Sequence, residues 1–130
     1  AMSSKRDHLR LMDLLDACGQ GHEQRVRALL KAGAAVNHAS GDRGTALIQA
    51  CKNGHELCAL ALIEAKAKVD MVASQGFTAL IFAAANNHER CTRALLEAGA
   101  TVDQVEEKGF TALMLACQNN HELCARALLE

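Results

Sequence analysis

Apolar positions along this chain fall into short stretches at helical spacing, and the stretches come in pairs. Leu11, Leu14, Leu15 and Cys18 recur at intervals of three and four, which places their side chains on one face of an α-helix. Gly19-Gln20-Gly21 breaks that run. Val26, Leu29 and Leu30 then predict a second helix from about Glu23, closing at Gly33 because glycine accepts positive φ. Ala34 to Asn37 runs on extended. The rest of the chain repeats this plan. Thr45, Thr78 and Thr111 each stand where a hydroxyl can cap a short helix. That helix carries Leu47/Ala50, Leu80/Ala83 or Leu113/Ala116 inward. Asn53-Gly54, Asn86-Asn87 or Asn119-Asn120 ends it, using residues that tolerate left-handed backbone. A second helix then starts near a His-Glu pair and buries a Cys together with Ala-Leu-Leu or Ala-Leu-Ile.

Displacing the chain against itself by 33 residues aligns Thr45 with Thr78 and Thr111, His55 with His88 and His121, and Asn37 with Asp70 and Asp103. A period of this length means stacked supersecondary units rather than one globular core. The pattern predicts an all-α solenoid of about four helix-turn-helix units. Residues 1–2 read as an expression scar, 3–37 as a capping first unit, and 38–70, 71–103 and 104–130 as the units that follow. The first unit lacks the Gly-Thr-Ala-Leu opening. It begins at Ser4 or Asp7 with a charged flank of Lys5, Arg6, Asp7 and Arg10, so its outer face is expected to meet water. The fourth stops at Glu130 without a polar closing unit. That leads to the expectation of a fragment whose last face, around Leu113, Cys124 and Leu128, is open and supports weak self-association. Two irregularities stand out. Lys66 replaces Gly33 and Gly99, predicting a strained or differently closed helix end, and Arg43 replaces Gly76 and Gly109, predicting a reshaped turn.

Composition supports helices over strands. Half the residues are apolar, with few aromatic or β-branched residues and no Pro, Trp or Tyr. A formal net charge of −1 supplies no general attraction to nucleic acid or an anionic membrane. No apolar run reaches the roughly 20 residues that span a bilayer, and no signal-peptide pattern opens the chain. The six cysteines keep two repeat phases, Cys18/Cys51/Cys117 and Cys58/Cys91/Cys124, as small buried hydrophobes would. Reduced, core-packed thiols imply a cytoplasmic or nuclear protein.

Gly76-Phe77-Thr78-Ala79-Leu80, the Asn-x-His that opens the second helix, and the run from Ala94 to Asp103 together resemble the ankyrin repeat family over about residues 7 to 130. The resemblance implies an L-shaped stack of antiparallel helix pairs with β-turn fingers. First helices would line a concave face and second helices a convex back, and the whole would serve as a protein–protein interaction module. The family's usual Thr-Pro-Leu-His becomes Thr-Ala-Leu with Ile48, Ile81 or Met114, so the Thr–His hydrogen bond of that motif is missing.

Candidate chemistry is sparse. His-Glu-x-Cys occurs at His55/Cys58, His88/Cys91 and His121/Cys124, and both residue types bind zinc. Repetition in every unit is what scaffold residues show, and each His is expected to satisfy the backbone that opens its own second helix. Buried thiols are poor nucleophiles, and no Ser-His-Asp set, phosphate-cradling loop or carboxylate dyad appears. The expectation is no enzyme, no metal and no cofactor. Positions that differ between copies are more informative, because scaffold positions must agree and binding positions need not. They gather at the fingers (Arg43, Gln75, Phe77, Lys108, Phe110) and on the first helices (Gln49, Lys52, Phe82, Asn86, Leu115, Gln118, Asn119). Aromatics flanked by polar residues suit an interface hot spot. Alternatively, Phe77 and Phe110 fold against neighbouring fingers and stiffen the array. The expected partner is a protein or peptide. The second candidate is a spacer or self-associating segment of a larger protein. The resemblance also makes Asn37 a candidate for asparaginyl hydroxylation.

Overall fold

The computed structural model describes residues 13–130. Ser4, Asp7, Leu11 and the charged flank of the first unit lie outside them. The described chain forms eight helical segments: α1 (13–20), α2 (Glu23–Lys31), α3 (Ala46–Lys52), α4 (Glu56–Glu64), α5 (Ala79–Ala85), α6 (Glu89–Glu97), α7 (Ala112–Gln118) and α8 (Glu122–Leu129). They pair as antiparallel hairpins, α3 with α4, α5 with α6 and α7 with α8. First helices stack on first helices, α3 on α5 on α7, and second helices form a parallel row, α2 on α4 on α6 on α8.

Local chemistry sets the helix boundaries. The hydroxyls of Thr45, Thr78 and Thr111 accept hydrogen bonds from the backbone N–H groups of Ile48, Ile81 and Met114 at 3.3, 3.1 and 3.2 Å. Each satisfies one of the donors a helix start leaves orphaned, a contribution of about 1 kcal/mol. The short helices end at left-handed residues, Gly54 (φ 77°), Asn87 (φ 63°) and Asn120 (φ 61°), as their sequence pairs predict. Leu47, Leu80, Ile48 and Ile81 are each about 1% exposed. Burying such side chains contributes on the order of 1.5–3 kcal/mol apiece. Where the family would place a histidine, Ile48 and Ile81 fill the space between hairpins.

Lys66 takes φ 70° and closes α4 much as glycine closes its neighbours. Ala67 N–H donates to Leu62 O at 3.0 Å, matching Ala34 to Leu29 at 3.1 Å and Ala100 to Leu95 at 3.0 Å. The closure is conserved in geometry; the expected strain survives only as the left-handed lysine, which costs about 1–2 kcal/mol.

Between hairpins the chain turns back as a finger. Ser40 N–H donates to Gly44 O (2.9 Å), Ala73 to Phe77 (2.8 Å) and Glu106 to Phe110 (3.0 Å), so the fingers close in one register. Their tips differ. The finger at Gly41–Arg43 carries positive φ at Gly41 and Gly44, and the finger at Ser74–Gly76 carries it at Gln75 and Gly76. Arg43 therefore does reshape its turn, by moving the left-handed positions to the glycines on either side.

Three expectations need correction. The histidines do not cap their own helices: no side-chain cap bond forms at His22, His55, His88 or His121. Instead His55 Nε2 donates to Gly19 O (3.1 Å), His88 Nε2 to Lys52 O (3.2 Å) and His121 Nδ1 to Ala84 O (3.0 Å), each in the preceding hairpin. Cys117 is exposed, whereas Cys18, Cys51, Cys58, Cys91 and Cys124 are buried and all six are free thiols. Its phase is covered in Cys51 by the next hairpin, and no described hairpin follows α8. For the same reason the open surface at that end is not Cys124 and Leu128, which are buried, but Met114 (51% exposed) and Leu129 (71%) beside a half-buried Leu113.

Candidate functional site

The row of first helices and the finger bases form one surface on which equivalent positions carry different chemistry. Asp16, Gln49, Phe82 and Leu115 share a single repeat phase, in order an acid, an amide, an aromatic and an aliphatic. Each is exposed or half-buried, while the residues beneath them, Leu15, Ile48, Ile81 and the alanines, are buried.

At the first end the site is polar. Arg43 Nη2 meets Asp16 Oδ1 at 3.1 Å, and Gln49 Nε2 donates to Arg43 O at 2.9 Å. The finger base is thus clamped by residues from two successive helices. One unit further the same link from finger base to helix is made by aromatic rings. Phe77 and Phe82 stack with centroids 4.9 Å apart and planes at 26°, an arrangement worth about 0.5–1.5 kcal/mol beyond burial. Lys52 reaches across from α3 with Nζ 5.2 Å from the Phe82 centroid, close enough for a cation–π attraction of about 0.5–1 kcal/mol at an exposed site. Asn86 Nδ2 donates to Lys52 O at 3.1 Å, joining the two helices at their ends. Phe110 and Leu115 continue the row, both half-buried. Glu106, only 6% exposed, braces this last finger by accepting from Phe110 N–H at 3.0 Å.

The structure thus gathers Arg43 with Gln49, and Lys52 with Phe77, Phe82 and Asn86. Gln75 sits at a finger tip, where its carbonyl accepts from Glu107 N–H at 2.8 Å next to the exposed Lys108. Gln118 and Asn119 are exposed at the end of α7. Phe77 stacks on Phe82 of the helix that follows its own finger. Asp16 was missed from the sequence; its phase, one repeat before Gln49, was the available signal. Asn37 lies elsewhere. Its Oδ1 accepts from Lys68 N–H at 2.7 Å, and Asp70 makes the matching bond to Thr101 N–H at 2.8 Å.

The buried thiols are held mostly in their protonated form. The Cys18 thiol is pushed up to about 12 by burial and the neighbouring Cys58. Cys51 is raised by donating to Cys91 and by burial, and that same contact lowers Cys91, which is itself only 1% exposed. Burial raises Cys58 and Cys124 as well. Among the described residues no three His, Cys, Asp or Glu side chains converge on a metal position. Grooves of about 440 and 310 Å³ are lined by second-helix and turn residues, and one of about 330 Å³ also takes in Ala116 and Cys117 of α7; none of the three includes a residue of the surface set. The variable surface is open, shaped for a chain or a folded face rather than an enclosed small molecule.

Paired helices with threonine caps, histidine cross-links and hydrogen-bonded fingers, stacked at a fixed period, define a helical-repeat solenoid. A family model described as ankyrin repeats (3 copies) matches residues 14–73 and 65–130. The chain belongs to the ankyrin repeat family. Ankyrin repeats are generally protein–protein interaction modules and typically non-catalytic. A comparison with curated proteins gave no match. No helix among the described residues is long and apolar enough to cross a membrane.

Proposed function

We propose that this chain binds a protein or peptide through the first-helix row and finger bases, with Phe77, Phe82, Phe110 and Leu115 as apolar anchors. Arg43, Gln49, Lys52, Gln75, Asn86, Lys108, Gln118 and Asn119 form the polar rim. The observation that carries this reading is the phase Asp16–Gln49–Phe82–Leu115, which changes class at every step while the adjoining phase Ala17–Ala50–Ala83–Ala116 repeats and is buried throughout. Packing demands agreement between units, and only an outside ligand gives a reason for directed disagreement. Rings already stacked and a lysine already drawn over them lose little freedom on binding, which favours affinity. Partner capture tests the reading. Wild-type chain and the Phe77→Ala/Phe82→Ala variant, both shown folded by circular dichroism, are used to retain proteins from a lysate. A protein held by the wild type and lost by the variant is the expected result; identical retention by both removes these rings from the site.

Exposed Met114, Cys117 and Leu129 at the last hairpin support a second reading, a self-associating or stacking segment of a larger protein. A sedimentation profile that shifts with concentration, and stops shifting in a Met114→Lys variant, would favour it.

A further inference from the structure

We propose that the ligand of this surface is an acidic peptide segment, in which a large apolar side chain lies one to three residues from an Asp or Glu. The inference rests on the protein-binding reading above and narrows its partner. Every arginine among the described residues is in an ion pair: Arg25 with Asp13, Arg27 with Glu23 and Glu64, Arg43 with Asp16, Arg90 with Glu56, Arg93 with Glu89 and Glu130, and Arg126 with Glu122. Lys52 is exposed, lies on the first-helix row, and has no carboxylate within ion-pair reach among the described residues. Its place in the last turn of α3 suits the helix dipole. The dipole does not account for its lean across to the next hairpin, where the ammonium sits over Phe82. The ring gives the ammonium a weak cation–π contact and leaves it exposed to a ligand carboxylate.

The neighbours set the ligand's order. On the Lys52 side towards the start of the row lie Asp16 and the neutral Gln49; on the other lie Phe82 and Leu115 with no charge between them. An apolar side chain therefore seats against the Phe82 edge and Leu115, beside the ring face that Lys52 covers, and the carboxylate meets Lys52. With Nζ 5.2 Å from the ring centroid and an extended chain advancing roughly 3.3 Å per residue, acid and anchor fall within about one to three residues. A basic residue in the same place would face Lys52 and be repelled.

A phage-displayed library of random dodecapeptides, panned on the immobilised whole chain, tests this directly. The expected binders pair Leu, Ile, Met or Phe with Asp or Glu at that separation. A synthetic peptide of the leading sequence is then measured against Lys52→Met, which keeps the stem over the ring without the charge, and against Lys52→Glu. Circular dichroism confirms that both fold. Affinity is expected to fall about threefold to fivefold in the first and about tenfold or more in the second, in line with a partly screened ion pair and its reversal. A library without binders, binders with no acidic enrichment, or unchanged affinity for both Lys52 variants overturns the proposal. Binders lost on Phe82→Ala but indifferent to Lys52 would sink the acidic ligand and leave the protein-binding reading standing. Binders indifferent to Phe77→Ala/Phe82→Ala would sink both.

Discussion

The two helix rows of this solenoid answer the same repeat in opposite ways. On the second-helix row, Arg27 bridges Glu23 at 2.8 Å and Glu64 at 3.1 Å, and two repeats later Arg93 bridges Glu89 at 2.8 Å and Glu130 at 2.7 Å. Each arginine reaches four residues back on its own helix and 37 residues on to the neighbouring second helix of the row. The pattern is closed on itself, charges satisfied within the chain; Arg93 holds the Glu130 carboxyl below its usual range. On the first-helix row, the equivalent residues pass from Asp16 to Leu115 without repeating, and among the described residues the Lys52 ammonium has an aromatic ring beside it and no carboxylate partner. Where chemistry repeats, it holds hairpins together. Where it does not, the chain has surface left over for something else.

The strongest way to break this comparison is to disturb a repeated position and find nothing lost. Gly54 has φ 77°, and a Cβ placed there would lie 2.6 Å from Nδ1 of His88, the ring that reaches back to Lys52 O. Gly33 also has positive φ, 92°, but nothing lies within 4 Å of its would-be Cβ. Gly33→Ala is expected to lose about 1 kcal/mol or more, since alanine at positive φ carries only the backbone strain. Gly54→Ala adds expulsion of the imidazole and loss of a hydrogen bond between hairpins, for a total of about 2–4 kcal/mol. Urea unfolding of both variants reads the difference. Equal losses would show that the histidine seat contributes nothing to the stack.

Much of the scaffold was legible because its causes are local. A threonine cap, an Asn-Gly break and a helical apolar stripe all involve residues within a turn of one another, and each stands where its spacing put it. The histidines were misread for the opposite reason. Capping reasoning looks along one helix, but His55 and His88 find their partners 36 residues upstream, over a glycine of the hairpin before. The one visible clue was Gly21 and Gly54, each one repeat ahead of the imidazole it admits. At Asn87 the seat has a side chain, and His121 turns to bond through Nδ1 to a different carbonyl, Ala84 O. Cys117 was misplaced because phase alone assumes a neighbour on both sides. On the candidate surface, the residue set could be found by comparing copies, but not the Lys52–Phe82–Phe77 contact. That depends on how far one helix leans over the next, which no spacing encodes.

Thiol chemistry sharpens the contrast between repeated interior and open surface. At mildly alkaline pH a chromogenic disulfide reagent should modify about one thiol quickly in the folded chain, Cys117, and the other five only on unfolding. The interior thiols also predict a pH dependence. Cys18 titrates near 12 when folded against a reference of 9.0. Between those values the unfolded chain has released a proton that the folded chain still holds. Stability is therefore fully present below about pH 9 and falls as pH rises towards 12, by at most about 1.4 kcal/mol per pH unit for one group. Cys58 and Cys124, raised in the same direction by burial, steepen the loss. A Cys18→Ala variant is less stable at neutral pH but should show a shallower alkaline slope. An unaltered slope would mean that this thiol is not held in its neutral form by the core.

The smallest expected effect concerns the one place where the outer row abandons its own rule. Leu60 occupies the phase of Arg27 and Arg93, four residues after Glu56 and 37 before Glu97. Glu97 has no ion-pair partner among the described residues, and Glu56 meets only Arg90, at 3.8 Å. Leu60→Arg should recreate the bridge seen at Arg27 and Arg93 and stabilise the array by about 0.3–0.5 kcal/mol per new pair. Leu60→Gln serves as the control for the lost apolar side chain, which is only half-buried. The advantage of Arg over Gln should shrink between about 0.01 M and 1 M salt, as the screening length falls from about 30 Å to about 3 Å. If arginine gains nothing over glutamine at low salt, the ladder at Arg27 and Arg93 is a surface habit without energetic weight. The contrast between a self-satisfied back and an unsatisfied front would then rest on the interior links alone: the threonine caps, the histidine seats and the buried leucines.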